Sequence, residues 1–113
     1  MTKNIKKNDI LYVKFDGVGS EQKGVRPCIV LQNDVGNKFS KTTIVATITS
    51  KNKKDKQKTH VHINGYGLKK PSTIQLEQIH TIDESRILDK LGHVDNEDLL
   101  KEIKKAFLIS VDM

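Results

Sequence analysis

Gly19-Ser20-Glu21-Gln22-Lys23-Gly24-Val25-Arg26-Pro27-Cys28-Ile29-Val30-Leu31-Gln32-Asn33-Asp34 is a stretch that joins a polar segment to an apolar one, and the rest of the chain is organised around it. Its first half gathers consecutive polar side chains between two glycines, which reads as a loop. Its second half is a continuous apolar run, Cys28 to Leu31, as expected of a central strand buried on both faces. Pro27 has no N–H to give and is expected at the first position of that strand. Arg26 therefore stands where a loop meets a rigid element, a common place for functional groups. Its planar fork of donors suits a phosphate or a carboxylate. The alternative is an ordinary hairpin loop with an arginine in a surface ion pair.

Working outward, Asp9 to Phe15 alternates: Leu11, Val13 and Phe15 point one way, and Ile10, Tyr12 and Lys14 the other. Asn33 to Lys38 is rich in turn formers and reads as a loop. Thr42 to Ser50 is a β-branched run with Ile44, Ala46 and Ile48 on one face and Thr43, Val45, Thr47 and Thr49 on the other. Lys51 to Lys58 contains no apolar residue and is predicted to be an exposed loop. Thr59 to Ile63 is a short strand, Val61 and Ile63 inward and His60 and His62 outward. Gly65 to Pro71 is a turn region, and Ser72 to Ile82 alternates again. Asp83 to Leu88 has the look of a short helical turn. Asp95 is placed to cap a helix whose stripe is Leu99, Leu100, Ile103, Ala106, Phe107 and Leu108. About five strands and one terminal helix point to a mainly β, α+β fold: a small, strongly bent sheet or partly open barrel.

At 113 residues the chain forms one domain, 1–113, with room for a single core. Aromatics make up 4% with no Trp, so that core rests on Ile, Leu and Val. A net charge of +6 favours an anionic partner. The lone cysteine, Cys28, excludes a disulfide scaffold, suits a reducing cytoplasm and reads as a buried hydrophobe. No stretch has the apolar length of a membrane span, and the first residues are not a secretion signal.

Most standard chemistry fails on inspection. His60 and His62 share a strand face, but no carboxylate or cysteine accompanies them at a metal-binding spacing, so no metal is expected and solvated histidines are the default. There is no Gly-x-Ser-x-Gly elbow. Gly17-Val18-Gly19 is too short for a dinucleotide fingerprint and opens no helix. What remains are polar residues at strand ends and in the first loop: Arg26, Thr49, Ser50, Gln78, Ser20, Glu21 and Gln22. Arginine with a hydroxyl suits the negative charge developing on a phosphoryl group. Taken singly, each of these residues also has a purely structural explanation.

The blocks Gly19-Ser-Glu-Gln-Lys-Gly-Val-Arg-Pro27, Val30-Leu-Gln-Asn-Asp34, Ile48-Thr-Ser50, Thr59-His-Val61 and Leu76-Glu-Gln-Ile-His-Thr-Ile-Asp83 resemble the MazF/PemK family of toxin endoribonucleases. The resemblance runs in order from about Asp9 into the terminal helix. It implies an SH3-like (CcdB/PemK-type) β-barrel with helices, a homodimer, and metal-independent cleavage of single-stranded RNA at short sequence motifs with no cofactor. It also implies a cognate, MazE-like antitoxin whose acidic tail blocks the RNA groove. Carried over by position, the catalytic pair falls on Arg26 and Thr49, and the groove residues on Ser20, Glu21, Gln22 and Gln78. Ser50 and the ring of Phe15 join them as expected substrate contacts, with Tyr66 a second ring for stacking bases. Asn8 stands where the family often has Gly, and the first loop is slightly short and lacks a common proline. The expected reaction is attack of an RNA 2′-hydroxyl on the adjacent phosphate, leaving a 2′,3′-cyclic phosphate and a 5′-hydroxyl. Guanidinium stays protonated at working pH, so Arg26 is expected to act by charge and positioning. The alternative is a non-catalytic toxin of the same fold that binds a protein such as gyrase.

Overall fold

The alternating segments become strands in the computed structural model, which describes residues 4–16, 23–50 and 57–112. Strands β1 (Asp9–Asp16), β2 (Lys23–Val30), β3 (Thr42–Thr49), β4 (His60–Ile63), β5 (Ser72–Asp83) and β6 (Ile87–His93) form one sheet. Its order is β4-β5-β3-β2-β1-β6, every neighbouring pair antiparallel. Helix α1 (Asp34–Phe39) links β2 to β3, a 3-10 turn (Glu84–Arg86) links β5 to β6, and α2 (Glu97–Ser110) closes the chain. Strands β4 and β6 are both edges, so the sheet bends without closing: a partly open barrel.

Because β2 and β3 carry apolar residues on both faces, in residues 28–30 and 45–48, both faces of the sheet are covered. One face carries Ile10, Ile29, Ala46, Ile48, Ile74 and Leu76, packed under Ile103 and Ala106 of α2. The opposite face gathers Leu11, Val13, Cys28, Val30, Val45, Ile82 and Ile87, with Phe15 beside them. The expected aliphatic core is thus two clusters, one on each side of the same strands.

Several expectations need correcting. Asn33 to Lys38 is not a loop: Asn33 Oδ1 accepts from Gly36 N at 2.8 Å and starts the single-turn helix α1. The helix-capping role of Asn outweighs its turn propensity here. Among the described residues there are six strands, not five. Only Glu84–Arg86 of the expected helical turn is helical, and β6 begins at once. Two register shifts against β1 break the period of two in β6, which hid it from pattern reading. The cap of α2 is Asn96, whose Oδ1 accepts from Leu99 N at 2.9 Å, rather than Asp95.

Pro27 lies in the middle of β2 rather than at its start, opposite Tyr12 of β1. The reason also shapes the site. Leu31 N donates to Ile44 O at 2.8 Å. Alternate residues of a strand point their donors the same way, so Ile29 and then residue 27 come next toward β3. Residue 27 is proline, and the β2–β3 pairing ends at Cys28–Thr47.

Two backbone conformations explain local residue choice. Asn8 has φ +74°, the left-handed region that Asn tolerates better than other non-glycine residues and Gly best of all. Its N–H donates to Val30 O and its carbonyl accepts from Val94 N, fixing the start of β1. At the other end, a Cβ on Gly92 would sit 2.2 Å from Tyr66 O, so β6 meets the Gly65–Gly67 turn backbone to backbone.

Candidate active site

The end of the β2–β3 ladder is where the site forms. Beyond Cys28–Thr47 both strands continue, β2 paired only with β1 and β3 only with β5. The two part, and the parting opens a cavity of about 330 Å³. Its walls are Tyr12, Val25, Arg26 and Pro27 on one side and Ile48, Thr49 and Ser50 on the other, with Leu68, Lys69, Lys70 and Ser72 across the mouth. Carrying the β2–β3 register two residues further sets Arg26 opposite Thr49. The cavity therefore contains the arginine and threonine singled out in the sequence, with Ser50 beside them.

Its electrostatics are one-sided. Arg26, Lys69 and Lys70 supply three cations, and no Asp or Glu among the described residues lines the cavity. Among the described residues no carboxylate pairs with Arg26. Its Nε is buried and has no hydrogen-bond partner among them. A buried donor left open is uncommon in folded proteins and calls for an acceptor from outside. Thr49 is 8% exposed and sits between β2 and Thr73 of β5, which pairs with it. The cavity is thus built to receive an anion beside a hydroxyl.

Lys69, Lys70, Ser72 and Tyr12 were missed in the sequence. The basic pair inside a Gly- and Pro-bounded turn was the available signal, but nothing local shows that this turn folds over the β2–β3 gap. Other expected residues lie elsewhere. Ser20, Glu21 and Gln22 fall outside the described residues, as do residues 51–56 of the basic segment; Lys58 is exposed. Phe15 is half-buried against the cluster of Leu11 and Val13, edge-on to His80 with centroids 5.2 Å apart. Tyr66 packs against the cluster under α2. Gln78 is half-buried on β5 where the register against β3 jumps between Ala46 and Thr47, and it does not line the cavity.

The two strand histidines separate. His62 is exposed, but the His60 side chain is only 6% exposed and its Nε2 lies 2.9 Å from Glu77 Oε2. The expectation of solvated histidines therefore holds for one and fails for the other. Glu77 comes from the next strand, a proximity that spacing along the chain does not reveal. Burial acts to raise the Glu77 carboxyl, but hydrogen bonds from His60, its own backbone and Thr59 outweigh it and hold it below the ordinary range. Cys28 is no nucleophile. Burial pushes its thiol far up, and the nearby Arg26 charge offsets only part of that.

Residues 6–111 match the family described as PemK-like, MazF-like toxin of type II toxin-antitoxin system. The chain belongs to that family. It is 46% identical over 110 residues to Endoribonuclease EndoA of Bacillus subtilis (strain 168), covering 95% of this chain and 94% of that protein. Among solved structures, MazF from Deinococcus radiodurans superposes with TM-score 0.82 at 19% identity, over 98% of this chain and 99% of the other. A mycobacterial endoribonuclease solved with its cognate antitoxin gives 0.80 at 15% identity, over 96% of each. The six-stranded, helix-capped fold is therefore that of the MazF toxins. Among the described residues of this MazF-family toxin, no helix is long and apolar enough to cross a membrane.

Proposed function

We propose that this MazF-family toxin is an endoribonuclease that cleaves single-stranded RNA in the cleft between β2 and β3. One observation carries the reading: Arg26 stands opposite Thr49 in a cavity lined by two further cations and, among the described residues, no acid. The 46% identity to EndoA, an endoribonuclease by name, supports the same substrate class. In the proposed reaction the RNA 2′-hydroxyl gives its proton to water and attacks the adjacent phosphate. The P–O5′ bond breaks, a 2′,3′-cyclic phosphate forms, and the departing 5′-oxygen takes a proton from water to become a 5′-hydroxyl. Arg26 holds the phosphoryl oxygens and offsets the charge of the pentacovalent transition state, and the Thr49 hydroxyl donates one more hydrogen bond. Arg26 is a clamp and not a proton shuttle, because guanidinium does not give up its proton at working pH. No metal takes part. Cleavage is sequence-specific, with Ser20, Glu21, Gln22 and Ser50 reading the bases. The working form is a cytoplasmic homodimer, held in check by a cognate antitoxin with an acidic segment that suits the cationic cleft.

Incubation of the purified protein with a long RNA in EDTA, beside an Arg26→Ala control, tests the proposal. Fragments with cyclic phosphate ends from the wild type alone support it. Intact RNA in both tubes overturns it and favours the protein-binding alternative.

A further inference from the structure

The strand pairing brings a fourth side chain toward the cleft. Thr49 of β3 pairs with Thr73 of β5, and Thr73 pairs with His62 of β4. Directly opposed residues stand on the same face of a sheet. The three form a row running away from Arg26, with Thr73 Oγ1 3.3 Å from His62 Nδ1. Below the row, Ser50, His62, Asn64, Ser72 and Thr73 line a second cavity of about 550 Å³. Ser50 and Ser72 line this cavity and the Arg26–Thr49 cleft alike, so the one continues into the other.

Distance decides what His62 does there. Neighbouring strands lie about 4.8 Å apart, so the Cα atoms of His62 and Thr49, two strands apart, are separated by roughly 10 Å. Proton transfer needs heavy atoms about 3 Å apart. His62 is therefore out of place to move a proton at the phosphate that Thr49 addresses. It is well placed for the next anion along the same strand of RNA.

The charged surroundings favour an anion. On its own strand His60 is occupied by Glu77. From the segment before β4 comes Lys58, and from α2 come Lys105 and Glu102, which share a cavity with His62 at the β4 edge. From β5, the opposed residue is the neutral Thr73. Among the described residues no carboxylate lies within ion-pair distance of His62.

We propose that His62 is a phosphate-binding residue of the RNA groove. Its ring holds a phosphate next to the one that Arg26 and Thr49 address. Thr73 orients the ring, and Ser50, Asn64 and Ser72 complete the pocket. The inference rests on the ribonuclease reading above, and it gives RNA affinity a contribution from a residue with no part in the chemical step.

The test is cleavage of a short RNA containing one cut site by wild type, His62→Gln and His62→Lys. His62→Gln should raise KM about tenfold, the size of one charge-assisted contact, and His62→Lys should hold it near the wild-type value, with kcat within about twofold in both. Matching melting temperatures establish that all three proteins fold. Superimposable KM for wild type and His62→Gln overturns the proposal. So does a large fall in kcat with unchanged KM, which would make His62 a proton carrier. Wild type that leaves RNA uncut, as Arg26→Ala does, would instead sink the ribonuclease reading itself.

Discussion

At the scale of single residues, what marks Arg26 is an open donor: its Nε is buried with no hydrogen-bond partner among the described residues, beside a cavity that no described carboxylate lines. A guanidinium serving only the fold would be paired. Removing it should therefore cost activity more than stability. Arg26→Ala is expected to lower kcat by about 10²- to 10³-fold, the usual loss of one aligned charge-stabilising donor. Arg26→Lys keeps a point charge but loses the two-pronged grip, and should fall between the two. Near-full activity of the lysine variant would show the fork to be irrelevant. Cys28 makes the opposite case. Its thiol, pushed up by burial, should resist alkylation in the native protein near neutral pH and react only on unfolding. Rapid labelling of folded protein would contradict the packing described here. Arg26 and Thr49 were legible in the sequence because their blocks resemble a family. Lys69 and Lys70 were not, because a turn's position over a distant strand gap leaves no local period.

Among the elements, β2 is the one whose sequence shapes the site. Pro27 falls where the next donor to β3 is due, and the two strands separate there. Pro27→Ala supplies the missing N–H facing Ile48. The expected result is an amide at position 27 protected from hydrogen exchange and a slower cleavage rate, as the added hydrogen bond draws the cleft together. An unprotected amide with unchanged activity would mean that something other than proline holds the strands apart. The turn against β6 gives a second test. A Cβ at Gly92 meets the Tyr66 carbonyl, which cannot retreat without moving the turn. Gly92→Ala should cost about 1–3 kcal/mol in urea unfolding, the range of overpacked sites. The regular strands were readable because alternation survives wherever a strand keeps one register. Strand β6 has two register shifts, and α1 is a single turn held by Asn33, so neither leaves a periodic trace.

For the molecule as a whole, the two aliphatic clusters carry no charge, so response to acid must come from the polar joints that tie the elements together. Among the described residues three carboxyls lie below their ordinary range. At Asp16 the leading cause is the hydrogen bond from Arg86, which ties the end of β1 to the turn before β6. At Asp83 it is the hydrogen bond with Ser85 at the start of that turn. At Glu77 burial opposes the shift, but the bonds from His60, the backbone and Thr59 prevail across the β4–β5 pair. A carboxyl lowered in the folded state adds stability that is fully present above its unfolded pKa, about 3.9 for Asp and 4.3 for Glu. That stability is lost as pH falls through the folded value. These groups should therefore give no slope between about pH 6 and pH 8, and a falling urea midpoint below about pH 4. Arg86→Ala should flatten the acid limb, because Asp16 then titrates near its unfolded value. Added salt should do the same in part, since this pair is open to solvent and screened. A midpoint that holds steady down to about pH 3 would show that these joints contribute nothing, and that the aliphatic clusters alone set the stability.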